Sequence, residues 1–243
     1  MSDAILSISS PIEDTSGIEA TEVRIPVNAE TISGLLMKPP AAKALYLFAH
    51  GAGTNMRHAT MAANAEGLAS RGIATLRYQF LYSEKGSKRP DTPKLAHAAV
   101  RAAAAQAASL APDLPLFAGG RSFGGRMTSQ AQAETPIPGV RGLAFLGFPL
   151  HPAGKPGIER AEHLTEVRVP MLFISGSRDA LAEMELIKPV TANLGASATL
   201  RIVDHADHSF KVAAKSGRTA SEVEAEALDA IADWVVSNLD AGI

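Results

Sequence analysis

The segment GGRSFGGR, residues 119–126, places Ser122 two positions after one glycine, Gly120, and two positions before another, Gly124. A serine hydroxyl attacks a carbonyl carbon when it protrudes from the backbone and an adjacent base takes its proton. An apolar strand is predicted before this serine and a helix after it, the context of a strained turn that exposes a nucleophile. Residues without a Cβ let the strand and the helix approach each other closely. The pattern therefore predicts that Ser122 is a nucleophile rather than part of an inert turn.

A base and an orienting acid are predicted at the ends of two later strands. Asp179 follows the apolar segment MLFISG, and His208 lies in the segment DHADHSF after the last strand. Serine nucleophile, acid and base then follow one another along the chain in the order Ser, Asp, His, each after the carboxyl end of a strand. This is the order that a serine in such a strand-to-helix turn requires. His205 directly follows the strand and is expected only to end it, so His208 is the predicted base. Asp204 and Asp207 share the loop of the histidine, whereas an orienting carboxylate reaches it from a neighbouring strand, so Asp179 is the predicted acid.

Acyl transfer also needs N–H donors aimed at the oxygen that becomes negative. One predicted donor is the backbone N–H of Phe123, directly after the nucleophile. The second should come from the segment HGAGTNM, residues 50–56, where glycines let the backbone turn its amides inward. The N–H of Ala52 is the first candidate and that of Gly53 the second.

Two segments of the chain partly match other kinds of site, a dinucleotide-binding loop and a metal site. Gly51 and Gly53 follow an apolar strand, as in a dinucleotide-binding loop, but the third glycine of that pattern is replaced by Met56. The next strand, IATLRYQF, also ends without the acidic residue that binds a ribose. The segment DHADH offers metal ligands on one short loop, without further clustered ligands along the chain. We therefore expect neither a cofactor nor a metal.

Composition excludes several classes of protein. The 243 residues are 46% hydrophobic and 20% charged with a formal net charge of −2, which argues against a nucleic-acid or membrane-surface partner. The absence of cysteine excludes a disulfide scaffold and a thiolate nucleophile. The N-terminus lacks the basic and apolar regions of a signal peptide, and no apolar run approaches the ~20 residues that span a bilayer. A cytoplasmic protein is the expectation, and the sequence leaves the oligomeric state open.

Strands and helices are predicted to alternate along the chain without a repeat or linker. This alternation predicts a single domain over residues 1–243, with an irregular segment over 1–20. Its fold class is a three-layer α/β sandwich on a mostly parallel sheet of about eight strands. A capping box formed by Ser221 and Glu224 is predicted to begin the last helix.

Five segments together resemble a known family: FAHGAG, GGRSFGGRM, GFPLHPAGKP, VRVPMLFISGSRDAL and DHSF. The chain resembles α/β-hydrolase-fold serine hydrolases from about residue 22 to 239. It is most similar to a small branch without a lid that includes dienelactone-hydrolase-like proteins, testis-expressed hydrolase-like proteins and a hydrolase-like subunit of the NSL histone-acetyltransferase complex. The resemblance implies Ser122 as nucleophile, Asp179 as acid and His208 as base. True dienelactone hydrolases usually carry cysteine at the nucleophile position, so the resemblance does not extend to dienelactone specificity.

The segment over 147–169 is too short and too rich in proline for a helical lid, which predicts an open, shallow site. Phe148, Leu150 and His151 are expected at its rim. Cationic side chains from other strand-end loops should converge there and favour substrates with an anion near the ester; these are Arg57, His58, Arg121, Lys155 and Arg178. The predicted substrate-binding residues are His50, Gly51, Arg57, Arg121, Phe148, Leu150, His151 and Lys155.

The function predicted from these residues is hydrolysis of a small carboxylic ester or thioester through an acyl-enzyme intermediate, so that a small-molecule ester is the expected partner. The alternative is a protein-interaction module that keeps the fold without catalysis. The two differ in whether nucleophile, base and acid are assembled within hydrogen-bond distance.

Overall fold

A computed structural model describes residues 18–239 of the chain. In this range, eight strands form one sheet in the order β1-β2-β4-β3-β5-β6-β7-β8. Among these eight strands, β2 alone runs in the direction opposite to the other seven. The strands are β1 (Ala20–Val27), β2 (Glu30–Met37), β3 (Ala44–Ala49), β4 (Ile73–Tyr78), β5 (Leu116–Arg121), β6 (Val140–Leu146), β7 (Met171–Gly176) and β8 (Ala198–Val203).

Helices cover both faces of this sheet. The α-helices are α1 (Ala59–Ala69), α2 (Leu81–Glu84), α3 (Pro93–Leu110), α4 (Phe123–Glu134), α5 (Met184–Asn193) and α6 (Ala220–Ser237). Short 3₁₀ helices span Glu159–Glu166, Gly195–Ser197 and Ala214–Ser216. Residues of α1 and α6 share one apolar cluster with the sheet, and residues of α3, α4 and α5 share another. In the described part of the chain, no helix is both long enough and apolar enough to cross a bilayer.

The central strands are buried along their whole length. Every residue of β3, β4 and β7 is buried, because helices pack against both faces of the sheet there. The first strand lies at an edge, and its buried and exposed residues alternate instead. The predicted mostly parallel sheet of about eight strands is therefore confirmed. The irregular segment predicted over 1–20 lies almost wholly outside the described residues, and β1 already begins at Ala20.

Three local details differ from the sequence-based expectation. The short helix α2 and the 3₁₀ helix over Glu159–Glu166 form in segments for which the sequence pattern predicts no helix. The pattern over 180–195 predicts mainly helix, but α5 begins only at Met184, since the Asp179 carboxylate accepts the N–H of Leu181 and holds that stretch as a turn.

The capping box of α6 lies two residues earlier than predicted. Thr219 is the N-cap: its hydroxyl accepts the N–H of Glu222 at 3.2 Å, and its own N–H donates to the Glu222 carboxylate at 2.7 Å. Ser221 is inside the helix, and the carboxylate of Glu224 is bonded to Asn64 of α1 instead. Both pairs have the same spacing, and the contact with α1 decides between them.

Replacing the N-cap should destabilise the protein more than replacing the serine two residues later. We expect Thr219→Ala to lower the free energy of unfolding by about 1 kcal/mol, because the first turn of α6 loses its side-chain acceptor. Ser221→Ala is the matched control and should change stability by less than about 0.5 kcal/mol. Urea unfolding of both variants measures the difference, and equal losses would contradict the assignment of the cap.

Candidate active site

Ser122 lies in a sharp turn between β5 and α4, with φ at 47° and ψ at −114°. Residues other than glycine rarely adopt a positive φ, and the strain persists only where packing enforces it. The turn packs directly on the end of β3: a Cβ on Gly120 would lie 2.3 Å from the carbonyl oxygen of Ala49. A Cβ on Gly124 would lie 2.6 Å from the carbonyl oxygen of His50. The two glycines therefore allow a crossing that a larger residue would prevent.

The side chains of Ser122, His208 and Asp179 form one continuous hydrogen-bonded row. Nε2 of His208 lies 2.9 Å from Oγ of Ser122. Nδ1 of the same ring lies 2.9 and 3.0 Å from the two carboxylate oxygens of Asp179. With the proton on Nδ1, the imidazole donates to the carboxylate and accepts from the serine hydroxyl. The Asp179 side chain is fully buried, whereas that of His208 is 23% exposed.

The loop that carries His208 is held by its own backbone and by the end of β7. The Asp207 carboxylate accepts the N–H groups of Ser209 and Lys211, at 2.8 and 2.9 Å. The N–H of Arg178 donates to the carbonyl of Ala206 at 2.9 Å. These bonds form a tight turn that projects the His208 ring over the sheet edge. Asp207 is therefore occupied with backbone groups of its own loop.

The other histidine and aspartate that competed for these positions lie elsewhere. His205 is exposed, with φ at 65°, and its N–H donates to the Ser177 hydroxyl. Asp204 is also exposed. In the described range, 18–239, no three or more histidine, aspartate or glutamate side chains are grouped closely enough to hold a metal ion.

The loop after β3 is organised around one carbonyl oxygen, that of Gly51. It accepts hydrogen bonds from the hydroxyl of Thr54 at 2.9 Å, from the hydroxyl of Tyr82 at 3.3 Å and from Nδ1 of His50 at 2.9 Å. In a trans peptide the N–H of the next residue points opposite to the carbonyl. The N–H of Ala52 is therefore directed away from these donors, and Ala52 lines the pocket that contains Ser122.

His50 supports this loop from inside the protein rather than contacting a ligand. Its ring is fully buried; Nε2 accepts the N–H of Phe80 at 3.2 Å, so the ring proton resides on Nδ1 and faces Gly51. Burial lowers the pKa of His50 to about 4, against the opposing effect of the hydrogen bond to Gly51. The ring stays neutral because a second proton would face the Phe80 N–H group.

A pocket of about 420 Å³ opens beside Ser122, a volume typical of small-molecule sites. Its mouth is formed by exposed residues, among them Ala52, His58 and Lys211. The predicted residues that line it are Gly51, Ala52, His58, Arg121, Ser122 and His208. Seven further residues of the lining are not among those predicted: Thr54, Thr60, Met61, Leu146, Leu181, Ser209 and Lys211. Ser209 and Lys211 flank His208 closely, and Leu181 follows Asp179 by two positions, so proximity along the chain was a usable signal.

The three residues expected at the rim are buried instead. Phe148 packs against Phe145 and Phe173, with ring centroids 5.2 and 5.6 Å away. Leu150 is fully buried in the same apolar cluster. His151 is also fully buried, and its Nε2 lies 2.6 Å from the Glu183 carboxylate. Apolar burial and a carboxylate partner hold the segment inward, so the prediction of an exposed rim is wrong for these residues.

The remaining predicted residues lie outside the pocket lining. Arg57 is exposed and paired with Glu22 of β1, which directs its guanidinium toward the first strand. Lys155 is exposed on the loop after β6, and Arg178 is exposed after β7. Gly53 has φ at 71°. The convergence of cations expected at the pocket is thus reduced to His58 and Arg121, to which the structure adds Lys211.

Comparison with known proteins gives a family and a fold. A family model described as "Alpha/beta hydrolase domain" matches residues 42–236. A dienelactone hydrolase from Anabaena variabilis is 23% identical with a TM-score of 0.72, over 95% of this chain and 100% of that one. A serine hydrolase without a lid from Xanthomonas campestris is 18% identical with a TM-score of 0.68, over 93% and 98% of the two chains. The similarity extends to an esterase from Pyrococcus furiosus, 14% identical, with a TM-score of 0.74 over 98% and 100%. The predicted fold without a lid is confirmed.

The buried neutral His50 should make stability depend on pH. The unfolded chain takes up a proton near pH 6.5 that the folded chain excludes until about pH 4, so stability falls as the pH is lowered through this window. Between about pH 7.5 and about pH 5, His50 alone should lower the free energy of unfolding by about 2 kcal/mol.

Urea unfolding at both pH values measures this contribution. His50→Gln should show a smaller loss of stability on acidification than the unmodified protein. His205→Asn, at an exposed histidine, controls for the removal of a histidine as such. An unchanged pH dependence in His50→Gln would contradict the assignment.

Proposed function

Because this chain belongs to the alpha/beta hydrolase domain family, we propose that it is a serine hydrolase of small carboxylic esters or thioesters. The observation that carries the proposal is the hydrogen-bonded row of Ser122, His208 and Asp179, with 2.9 Å between hydroxyl and imidazole. Ser122 and His208 of this row line one pocket. Such a row gives the serine hydroxyl an adjacent base and holds that base in the tautomer that accepts the proton.

In the first half-reaction, Oγ of Ser122 attacks the carbonyl carbon of the substrate as its proton passes to Nε2 of His208. The carbonyl π-electrons move onto oxygen and give a tetrahedral oxyanion. Its collapse breaks the bond to the leaving alcohol or thiol, which takes the proton from His208. The acyl group is then esterified to Ser122.

In the second half-reaction, His208 takes a proton from water, and the resulting hydroxide attacks the acyl carbon. Collapse of the second tetrahedral intermediate releases the carboxylic acid and returns the proton to Oγ of Ser122. Asp179 remains ionised throughout. It holds the proton on Nδ1 and stabilises the imidazolium that forms twice in each cycle.

The oxyanion is stabilised by two backbone N–H groups in this proposal. Phe123 is the first residue of α4, so its N–H has no acceptor in a preceding helical turn. Ala52 supplies the second, and the bonds to the Gly51 carbonyl fix its direction in advance. Donors fixed before the reaction need no reorganisation as charge develops, which is the main advantage of such a site.

The pocket favours small substrates and leaves the bound acyl group accessible to water. Its volume of about 420 Å³ accommodates a short acyl or alcohol group, and the exposed mouth gives water direct access to the acyl-enzyme. The alternative function, a protein-interaction module without catalysis, keeps the fold but needs no assembled row of nucleophile, base and acid. The two functions differ in whether Ser122 reacts with a fluorophosphonate probe.

A fluorophosphonate probe should label the protein at Ser122. Replacement Ser122→Ala should abolish labelling, and His208→Ala should slow labelling and ester hydrolysis at least roughly 1,000-fold, since the serine loses its base. His205→Ala, at the exposed histidine three residues away, is the matched control and should label at the normal rate. A folded protein that neither labels nor hydrolyses short esters would support the interaction module instead.

Replacing the acid by its amide should impair turnover without weakening substrate binding. In Asp179→Asn the side-chain amide can donate to Nδ1, which favours the tautomer that has its proton on Nε2 and cannot accept from Ser122. We expect kcat to fall roughly 1,000- to 10,000-fold with little change in KM. Steady-state kinetics with a short p-nitrophenyl ester measures both constants, and a normal kcat would remove Asp179 from the mechanism.

A further inference from the structure

Both terminal nitrogens of the Arg121 guanidinium donate hydrogen bonds to other parts of the protein. Nη1 donates to the side-chain carbonyl of Asn64 at 3.1 Å, and Nη2 donates to the backbone carbonyl of Ser209 at 3.2 Å. Its Cζ lies 5.3 Å from the centre of the Phe210 ring, within the range of a cation–π contact. Arg121 therefore contacts α1 and the two residues that follow His208.

These contacts continue into the last helix. The side-chain amide of Asn64 donates to the carboxylate of Glu224 on α6. Glu224 and Asp207 also oppose the effect of burial, which lowers the pKa of Arg121. The row of Glu224, Asn64 and Arg121 thus links α6 and α1 to the loop of the histidine, and acidic groups balance the partly buried positive charge.

The position of Arg121 in the chain gives this row its importance. Arg121 directly precedes Ser122, and Ser209 directly follows His208. The bond between Arg121 and the Ser209 carbonyl therefore ties together the two chain segments whose side chains must meet. The tie spans a strained loop: Phe210 has φ at 62°, a value that bulky residues seldom adopt.

We propose that Arg121 is a positioning residue that holds His208 at hydrogen-bond distance from Ser122 through the Ser209 carbonyl and the Phe210 ring. Its catalytic consequence rests on the function proposed above. Each terminal nitrogen donates to a group of the protein, which favours this role over the substrate contact expected from the sequence. Misplacing a catalytic group by about 1 Å is sufficient to cost roughly 100-fold in rate.

The test compares Arg121→Met with a matched variant, Arg71→Met. Arg71 also links α1 to α6, through Asp229 at 2.6 Å and the carbonyl of Ala225 at 3.4 Å, but has no bond to the histidine loop. Arg121→Met should lower kcat roughly 10- to 100-fold with less than about a threefold change in KM. Arg71→Met should leave both constants nearly unchanged. Arg121→Lys, which can reach one acceptor instead of two, should fall between Arg121→Met and the unmodified protein.

Hydrogen exchange followed by mass spectrometry provides a readout that does not depend on activity. Peptides containing residues 205–212 should exchange faster in Arg121→Met than in the unmodified protein, and at the normal rate in Arg71→Met. An unmodified protein that is inactive, with accelerated exchange in Arg121→Met, would refute the proposed function while supporting the tie.

Two results would overturn the inference. A raised KM with an unchanged kcat in Arg121→Met would assign the arginine to substrate binding. Unchanged exchange in the histidine loop, or equal losses of kcat in the two methionine variants, would show that Arg121 does not position that loop.

Discussion

The sheet edge that carries Ser122 depends on how closely the turn at this serine packs against the end of β3. A positive φ at a serine costs on the order of 1–3 kcal/mol and persists only where its surroundings enforce it. Here the enforcement is steric, because the backbones of β5 and α4 lie against Ala49 and His50 with no room for additional carbon atoms. The loop that supplies the Ala52 amide continues from that same end of β3. One crossing therefore sets the direction of the hydroxyl and the start of the loop opposite it.

Around this crossing, polar side chains are used mainly to orient the backbone. Thr54, Tyr82 and His50 all bond the Gly51 carbonyl, and the Asp207 carboxylate gathers two amides of its own loop. Burial raises the pKa of Tyr82 to about 12, so its hydroxyl remains protonated and able to donate at neutral pH. Such orientation is complete before any ligand arrives, which is what the proposed hydrolysis requires of the groups around its oxyanion.

The sequence was informative wherever the signal was local. Alternating apolar strands and helices predicted the sheet, and the spacing of glycines around Ser122 predicted a turn that packing then strains. The sequence was uninformative where two residues could occupy the same position, or where a partner far away in the chain sets the direction of a side chain. Thr219 and Ser221 each precede a glutamate by three positions, and only the contact between Glu224 and Asn64 distinguishes them. Arg57 points toward Glu22, and His151 toward Glu183, because of pairings between segments far apart in the chain.

The short segment after β6 folds inward as apolar packing and one 3₁₀ helix, so nothing built from it covers the pocket. A lid that opened only at an oil–water boundary would make the rate rise when the substrate forms droplets. A site with no cover has no closed state for such a boundary to open. The proposed reaction should accordingly follow the concentration of dissolved monomeric ester and saturate smoothly, without any response to an interface.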